Sequence, residues 1–488
     1  MTMTMTAPTQ DPAVSVARAR ARARVRARAR RSARGFTLIE LTVALVGGLL
    51  GGIAVVGLSK EATNTFHEDM RAAQAQFSVR TAIDRLRSDV ARAGFMATPN
   101  IWGDPRLVSP DYVTKGLGAA TCPLNIKRLA GIRLFVGGSL TKANINAGFP
   151  APATPGTDES SPYSANNNLA PDAIDISGNM NTVDMYTVQT VDTTNACGSA
   201  RLILSLQNPP AYRLLGVSDG GINDSSDTLK RAFVPVATET FVVRLQDSSG
   251  HVQYLESCGA GVLPGSPPTA FVDITNNVPV ATTGSGTGSG KKTEGGESGF
   301  YTNTQINPVL TVRYKLTPPV AAYADLVTSG DGGTDSRFDL YRFYVNSLGV
   351  EVGVPDLIAE YAVDLKFAFT VDNTATNAPN PPFLARTQTT FAFDDASNNN
   401  VNYGSNATMV AAAVGPQRIR SVRMRLATRT AFADRQALVS PPTWTPTDYT
   451  NLFRYCTTPS AAPCGGYARV RTVITEVAMN NLAMGSYP

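Results

Sequence analysis

The residue types that usually carry catalysis are sparse and scattered in this chain of 488 residues. It has only two histidines, His67 and His251, too few and too far apart in the chain for a zinc cluster or a Ser/His/Asp arrangement, and both read as surface or packing residues. The stretch Gly286-Thr-Gly-Ser-Gly290-Lys291-Lys292 has the look of a phosphate-binding loop. It fails at two positions, with Ser285 where the first glycine is required and Lys292 where a Ser or Thr must follow the lysine, so it reads as a linker. Two acidic segments, Asp219 to Asp227 and Asp331 to Asp339, are rich in oxygen ligands but lack the Glu-terminated twelve-residue spacing of a hand-type calcium loop. They read as hydrated turns, with calcium the lesser alternative. Arg418, Arg420, Arg423, Arg425 and Arg429 line a strand-like segment that reads as a solvated sheet face rather than a phosphate-binding strip. No catalytic constellation emerges, and neither an enzyme nor a resident cofactor is expected.

One residue stands apart. Residues 36–58, FTLIELTVALVGGLLGGIAVVGL, contain a single ionisable group, Glu40, and no proline. As a helix rising 1.5 Å per residue they span about 34 Å, enough to cross a hydrocarbon core of about 30 Å. A carboxylate in such a segment costs roughly 2.5 to 3.5 kcal/mol on insertion scales, so it needs a partner. Nine arginines lie upstream, between Arg18 and Arg34, and no comparable cluster follows the apolar segment, which places the N-terminus in the cytoplasm and everything beyond about residue 59 outside it. The charge balance divides the same way. The whole chain has 43 basic and 38 acidic residues, a net +5; without residues 1–34, which hold those nine arginines and Asp11, it has 34 against 37. The basic balance therefore resides in the leader and is no sign of a nucleic-acid-binding surface.

Arg34-Gly35 followed by Phe36-Thr37-Leu38-Ile39-Glu40 and an apolar helix resembles the class III signal of type IV pilins and pseudopilins. The resemblance implies cleavage between Gly35 and Phe36 by a membrane prepilin peptidase, N-methylation of the new Phe36 amine, and retention of the helix. It also implies that Glu40 pairs with the Phe36 amine of an adjacent subunit, which would neutralise the buried acid on assembly. The leader, residues 1–35, is long for this class, so either the true start lies downstream or the leader is extended. Thr81 to Phe95, Pro171 to Ile176, Asp356 to Phe367, Arg418 to Arg429 and Arg469 to Thr475 are similar to segments of PilW-type minor pilins, which are generally shorter.

The elements that must carry these residues follow from periodicity. Between Ser59 and Arg92 there is no proline or glycine, and apolar residues recur at Phe66, Met70, Ala73 and Phe77, then at Val79, Ile83, Leu86 and Val90. That spacing predicts the amphipathic half of one long helix, residues 59–95, with one buried stripe and with Arg71, Arg80, Asp84, Arg85, Arg87, Asp89 and Arg92 on its other faces. Beyond residue 100 short β-branched and aromatic runs alternate with turn residues. Strands are expected at Ile132 to Val136, Val183 to Val191, Leu202 to Leu206, Phe233 to Leu245, Val309 to Leu316, Phe338 to Val345, Ala362 to Val371, Ile419 to Leu426 and Ala468 to Val477. The fold class is α+β: a membrane-spanning and amphipathic N-terminal helix, then a mainly antiparallel β head in two parts, 96–275 and 300–488. Low-complexity segments fall at 148–170, 276–299 and 373–384, the middle one a Gly/Ser-rich loop or linker. The five cysteines all lie on the exported side, where disulfides form. Cys456 and Cys464 flank a Pro- and Ala-rich loop and are best placed to bridge. Two of Cys122, Cys197 and Cys258 remain to pair, with nothing in the sequence to choose between them.

These readings lead to the expectation of a minor pilin of a type IV pilus, inserted once in the inner membrane and then assembled into a surface filament. Its expected partners are major and minor pilins, the prepilin peptidase and the inner-membrane assembly platform. A minor pseudopilin of a type II secretion system shares the same signal and helix, and a pilus-tip module for adhesion or DNA capture is a third reading.

Overall fold

The computed structural model describes residues 37–107, 122–135, 171–192, 197, 200–205, 222–247, 250–263, 268–275, 304–326, 337–372, 388–391, 393, 415–432, 452–454 and 467–483. Cys456, Cys464, Gly35, Phe36 and the three low-complexity segments lie outside them. The chain divides into two compact units, residues 1–70 and 71–488.

Helix α1, Leu38–Ala91, runs unbroken for 54 residues, about 81 Å at the helical rise. Within the first unit its side chains from Leu38 to Leu58 are exposed all round, and this stretch is long and apolar enough to cross a membrane. In the second unit the helix buries Ala72, Ala75, Val79, Ala82, Ile83, Leu86, Asp89 and Val90. It stops where Gly94 takes φ +72°, a left-handed conformation that ends helices at little cost only in glycine. Asn481 Nδ2 donates to the free Ala91 carbonyl at 2.9 Å. A Cβ on Gly94 would lie 2.6 Å from Leu482 Cδ2, so this glycine also permits the close approach of the Asn480–Ala483 helix.

The second unit is antiparallel throughout its named strands. Strands β1 (Ile132–Phe135), β2 (Ala173–Gly178), β3 (Tyr186–Asp192), β4 (Ala200–Leu204), β5 (Phe241–Gln246), β6 (Val252–Leu263), β7 (Thr269–Ile274), β8 (Gln305–Thr317), β9 (Asp339–Val345) and β10 (Glu351–Ala359) form one sheet. Its long strand β8 is shared. The N-terminal half of β8 pairs with both β3 and β5, which closes β8-β3-β4-β7-β6-β5 into a six-stranded ring. Its C-terminal half pairs with β2 and β9, making the open array β1-β2-β8-β9-β10. A closed ring leaves no free edges, and its apolar side chains, among them Tyr186, Leu202, Leu245, Val272, Ile274 and Ile306, are buried.

A second sheet is ordered β12 (Gln388–Thr390), β11 (Ala362–Asp372), β13 (Ile419–Arg429), β15 (Tyr467–Ala478) and β14 (Leu452–Arg454). Asp172 joins it to the first. Its N–H donates to the Leu365 carbonyl at 2.7 Å, its carboxylate accepts from the Phe367 N–H at 3.1 Å, and Lys366 pairs with it at 3.4 Å. One aspartate beside β2 thus takes the place of a partner strand along the edge of β11.

Most expected strands are present with shifted ends, and three readings need correction. Phe233 does not begin a strand: it closes helix α3, Ile222–Phe233, which comes after the short α2, Leu124–Lys127, and only Phe241–Gln246 is extended. The same helix overturns the reading of Asp219 to Asp227 as a turn, since residues 222–227 are helical. Asp339 is not hydrated. It is fully buried, accepting from Arg337 Nε at 3.0 Å, the Tyr341 hydroxyl at 3.3 Å and the Tyr361 N–H at 2.9 Å. Strands β6 and β7 were not expected; in β6, Glu256, Cys258, Gly259 and Gly261 interrupt the β-prone pattern. The interruptions are satisfied by tertiary partners: Glu256 accepts from Ser347 Oγ and from Thr275 Oγ1. The last described helix is α4, Asn480–Ala483.

Candidate functional site

Glu40 sits three residues into α1, and its local partners follow from the sequence Thr37-Leu-Ile-Glu40. Thr37 N donates to Glu40 Oε2 at 2.9 Å and Thr37 Oγ1 to the same oxygen at 3.1 Å, while Glu40 N donates to Thr37 Oγ1 at 3.2 Å. This reciprocal pattern is a capping box, which satisfies helix N–H groups that have no carbonyl partner. The carboxylate also lies in the first turn, where the helix dipole favours negative charge. Within a single chain, then, the Glu40 carboxylate caps its own helix.

The expected single stripe of the amphipathic half is two stripes. Val79, Ile83, Leu86 and Val90 are buried against the sheets, whereas Phe66, Met70, Ala73 and Phe77 are exposed, Phe77 by 74%. Each set has helical spacing on its own. The step from Phe77 to Val79 is only two residues, about 200° of rotation, so the sets lie about 140° apart round the axis.

Asp89, expected on a solvent face, is also inside, 4% exposed. It accepts from the Tyr314 hydroxyl at 2.7 Å and from Arg342 Nε at 2.7 Å, and Arg342 NH1 continues to Asp356 at 3.1 Å. Burial and then the neighbouring Asp89 charge push the Tyr314 hydroxyl well above its ordinary pKa, so it remains a donor. Burial alone would weaken Arg342 as a cation, but Asp89, Tyr314 and Tyr344 outweigh it and the pKa is raised. Arg92 NH1 donates to the Met180 carbonyl at 2.6 Å, and Thr428 Oγ1 on β13 donates to the Ala75 carbonyl at 3.2 Å. The helix from Arg71 onward is thus locked to both sheets by polar contacts as well as by its apolar stripe.

The arginines of β13 divide. Arg425 pairs with Asp364 at 2.8 Å and Arg420 with Asp372 at 3.2 Å. Arg423 and Arg425 each lie 5.1 Å from the Phe393 ring centroid. Arg429, 2% exposed, reaches the Thr430 and Ala431 carbonyls and stacks over Tyr361. The solvated-face reading therefore fails for Arg429, because the strand's end dips under the turn that carries Tyr361.

Of the cysteines, Cys197 and Cys258 form a disulfide that ties the β3–β4 connection to β6. Cys122 is buried and free, and burial raises its thiol pKa to about 11. Among the described residues no group of three or more His, Cys, Asp or Glu is placed to hold a metal ion.

Comparison of the chain with protein-family models, with curated proteins and with solved structures returns no match.

Proposed function

We propose that this chain is a minor pilin of a type IV pilus, a membrane-anchored structural subunit that primes or caps filament assembly and so supports motility or adhesion. The reading is carried by one observation: a helix long and apolar enough to span a membrane, whose apolar stretch from Leu38 to Leu58 holds a single carboxylate, Glu40, the third residue of the helix. In the unassembled subunit the Thr37–Glu40 capping box supplies donors to that acid. On assembly Glu40 exchanges those donors for the methylated Phe36 amine of a neighbouring subunit, replacing a hydrogen-bonded but uncompensated charge in lipid with a neutralised pair. The exposed stripe Phe66, Met70, Ala73 and Phe77 continues the apolar surface of the anchor beyond the membrane and favours further helix-on-helix contact. The head, held to α1 by Asp89 and Thr428, faces outward.

The test is mass spectrometry of filaments sheared from cells. The expected N-terminal peptide begins at N-methylated Phe36; filament-borne chains starting upstream of Phe36 would overturn the proposal. Recovery of the protein only with a secretion apparatus, never with surface filaments, would move it to the pseudopilin reading.

A further inference from the structure

Within the second unit a cavity of about 270 Å³ lies between α1 and the head, lined on the helix side by Arg71, Gln74, Ala75 and Ser78 and on the head side by residues 357–361 and 429–431. The spacing i, i+3 and i+7 sets Arg71, Gln74 and Ser78 in a row along one helix face. All three carry hydrogen-bond donors. Among the described residues none of their side chains makes a hydrogen bond or ion pair, and the Arg71 guanidinium meets only the Phe432 ring, 4.9 Å from its centroid. Glu360 is the one acid in the lining, and Arg337 NH2 meets it at 3.6 Å. The lining therefore keeps a positive charge at Arg71. Leu357, Ile358, Ala359 and Ala431 make the head side largely apolar. Both sides are fixed. Thr428 Oγ1 holds the Ala75 carbonyl at 3.2 Å. Tyr361, in the left-handed region at φ +53°, donates its N–H to Asp339 at 2.9 Å and accepts from Arg429 N at 2.9 Å. Its ring centroid lies 4.5 Å from Arg337 Cζ and 5.1 Å from Arg429 Cζ.

We propose that this cavity binds a small aliphatic carboxylic acid in its ionised form. The carboxylate takes the planar pair of donors on Arg71, with Gln74 and Ser78 beside it as further donors, and the hydrocarbon chain lies over Leu357, Ile358, Ala359 and Ala431. Charge and size narrow the class. An amine would bring a second cation to Arg71, and a neutral alcohol of the same length would leave the guanidinium without a counter-ion. A phosphate dianion would add repulsion from Glu360 that a single negative charge feels less. The volume equals that of about nine waters at about 30 Å³ each, which suits an acid of roughly six carbons. Because helix and head are already held by Thr428 and Tyr361, ordering the site costs the ligand little.

The probe is radiolabelled hexanoate, dialysed to equilibrium against the full chain in detergent, with detergent alone as the blank. The expected result is saturable one-to-one binding that unlabelled hexanoate displaces and that hexanol and hexylammonium at the same concentration do not. Arg71→Gln should weaken binding at least tenfold, and Arg71→Lys, which keeps the charge but loses the paired donors, should weaken it less. Ala431→Trp fills the cavity without changing its charge and should also weaken binding at least tenfold. Arg71 is exposed, so Arg71→Gln should leave the thermal unfolding midpoint of the ligand-free chain unchanged, which separates a lost ligand contact from a lost fold. Binding that does not saturate, that hexanol displaces equally well, or that Arg71→Gln leaves intact overturns the proposal. So does concentration-dependent self-association of the ligand-free chain that Arg71→Gln abolishes, because the carboxylate in the cavity would then belong to a second copy.

Discussion

Asp175 on β2 accepts from Arg133 NH2 at 2.5 Å and from Arg313 Nε and NH2 at 2.6 and 2.9 Å, with its side chain wholly out of water. Burial by itself would raise its pKa; Arg313 and Arg133 outweigh burial and hold it below the ordinary carboxylate range. A folded pKa below the unfolded value, about 3.9, means that the contribution is complete above that value and is lost as pH falls through it toward the folded pKa. Asp175→Asn should therefore cost about 3 to 5 kcal/mol at pH 7, where it strands two buried guanidinium groups, and progressively less toward pH 3, read by denaturant unfolding at both pH values. Cys122 makes the opposite kind of prediction. With its thiol raised to about 11 by burial, it is protonated at neutral pH. Iodoacetamide at pH 7.5 followed by peptide mapping should leave Cys122 unmodified in the folded chain and alkylate it in denaturant. Neither environment was legible in the sequence, where Asp175 sits in an ordinary β-prone run and Cys122 beside a proline.

At the scale of the element, α1 was the most legible part of the chain, because helical periodicity and the absence of Pro and Gly after Leu58 are local properties. Which stripe meets the head was not, since Phe66 to Phe77 and Val79 to Val90 satisfy the same spacing rule on different faces. The structure assigns the burial, and the assignment has a measurable consequence. Leu86→Ala should cost about 2 to 5 kcal/mol of head stability, a deletion at a fully buried site. Phe77→Ala should stay within about 0.5 kcal/mol despite removing a larger side chain. Comparable losses for the two variants in thermal unfolding would mean that Phe77 is covered. Strands β1, β8, β9, β11 and β13 were legible for the same local reason as α1. Strand β6 was not, as its glycines and polar residues are tolerated only because neighbouring segments satisfy them.

Across the whole molecule, the head is held by contacts between residues far apart in the chain. The disulfide Cys197–Cys258 has a sequence separation of 61, a closure that on chain-entropy grounds contributes about 4 kcal/mol. Cys197→Ser should lower stability by about that amount, and the reductant sensitivity of the parent chain's unfolding midpoint should largely vanish in the variant. The bridge accords with an exported head, where thiols oxidise. Residue order alone determines whatever depends on neighbours a few positions away: the basic N-terminal run, the apolar segment with its one acid, the continuous helix and the antiparallel β character of the head. The tertiary structure alone decided the closure of the six-stranded ring through β8, the joining of the sheets at Asp172, the burial of Asp89 and Asp175, and the cysteine pair at 197 and 258. Each of these depends on groups brought together from distant parts of the chain, and periodicity carries no record of which distant partner will be there.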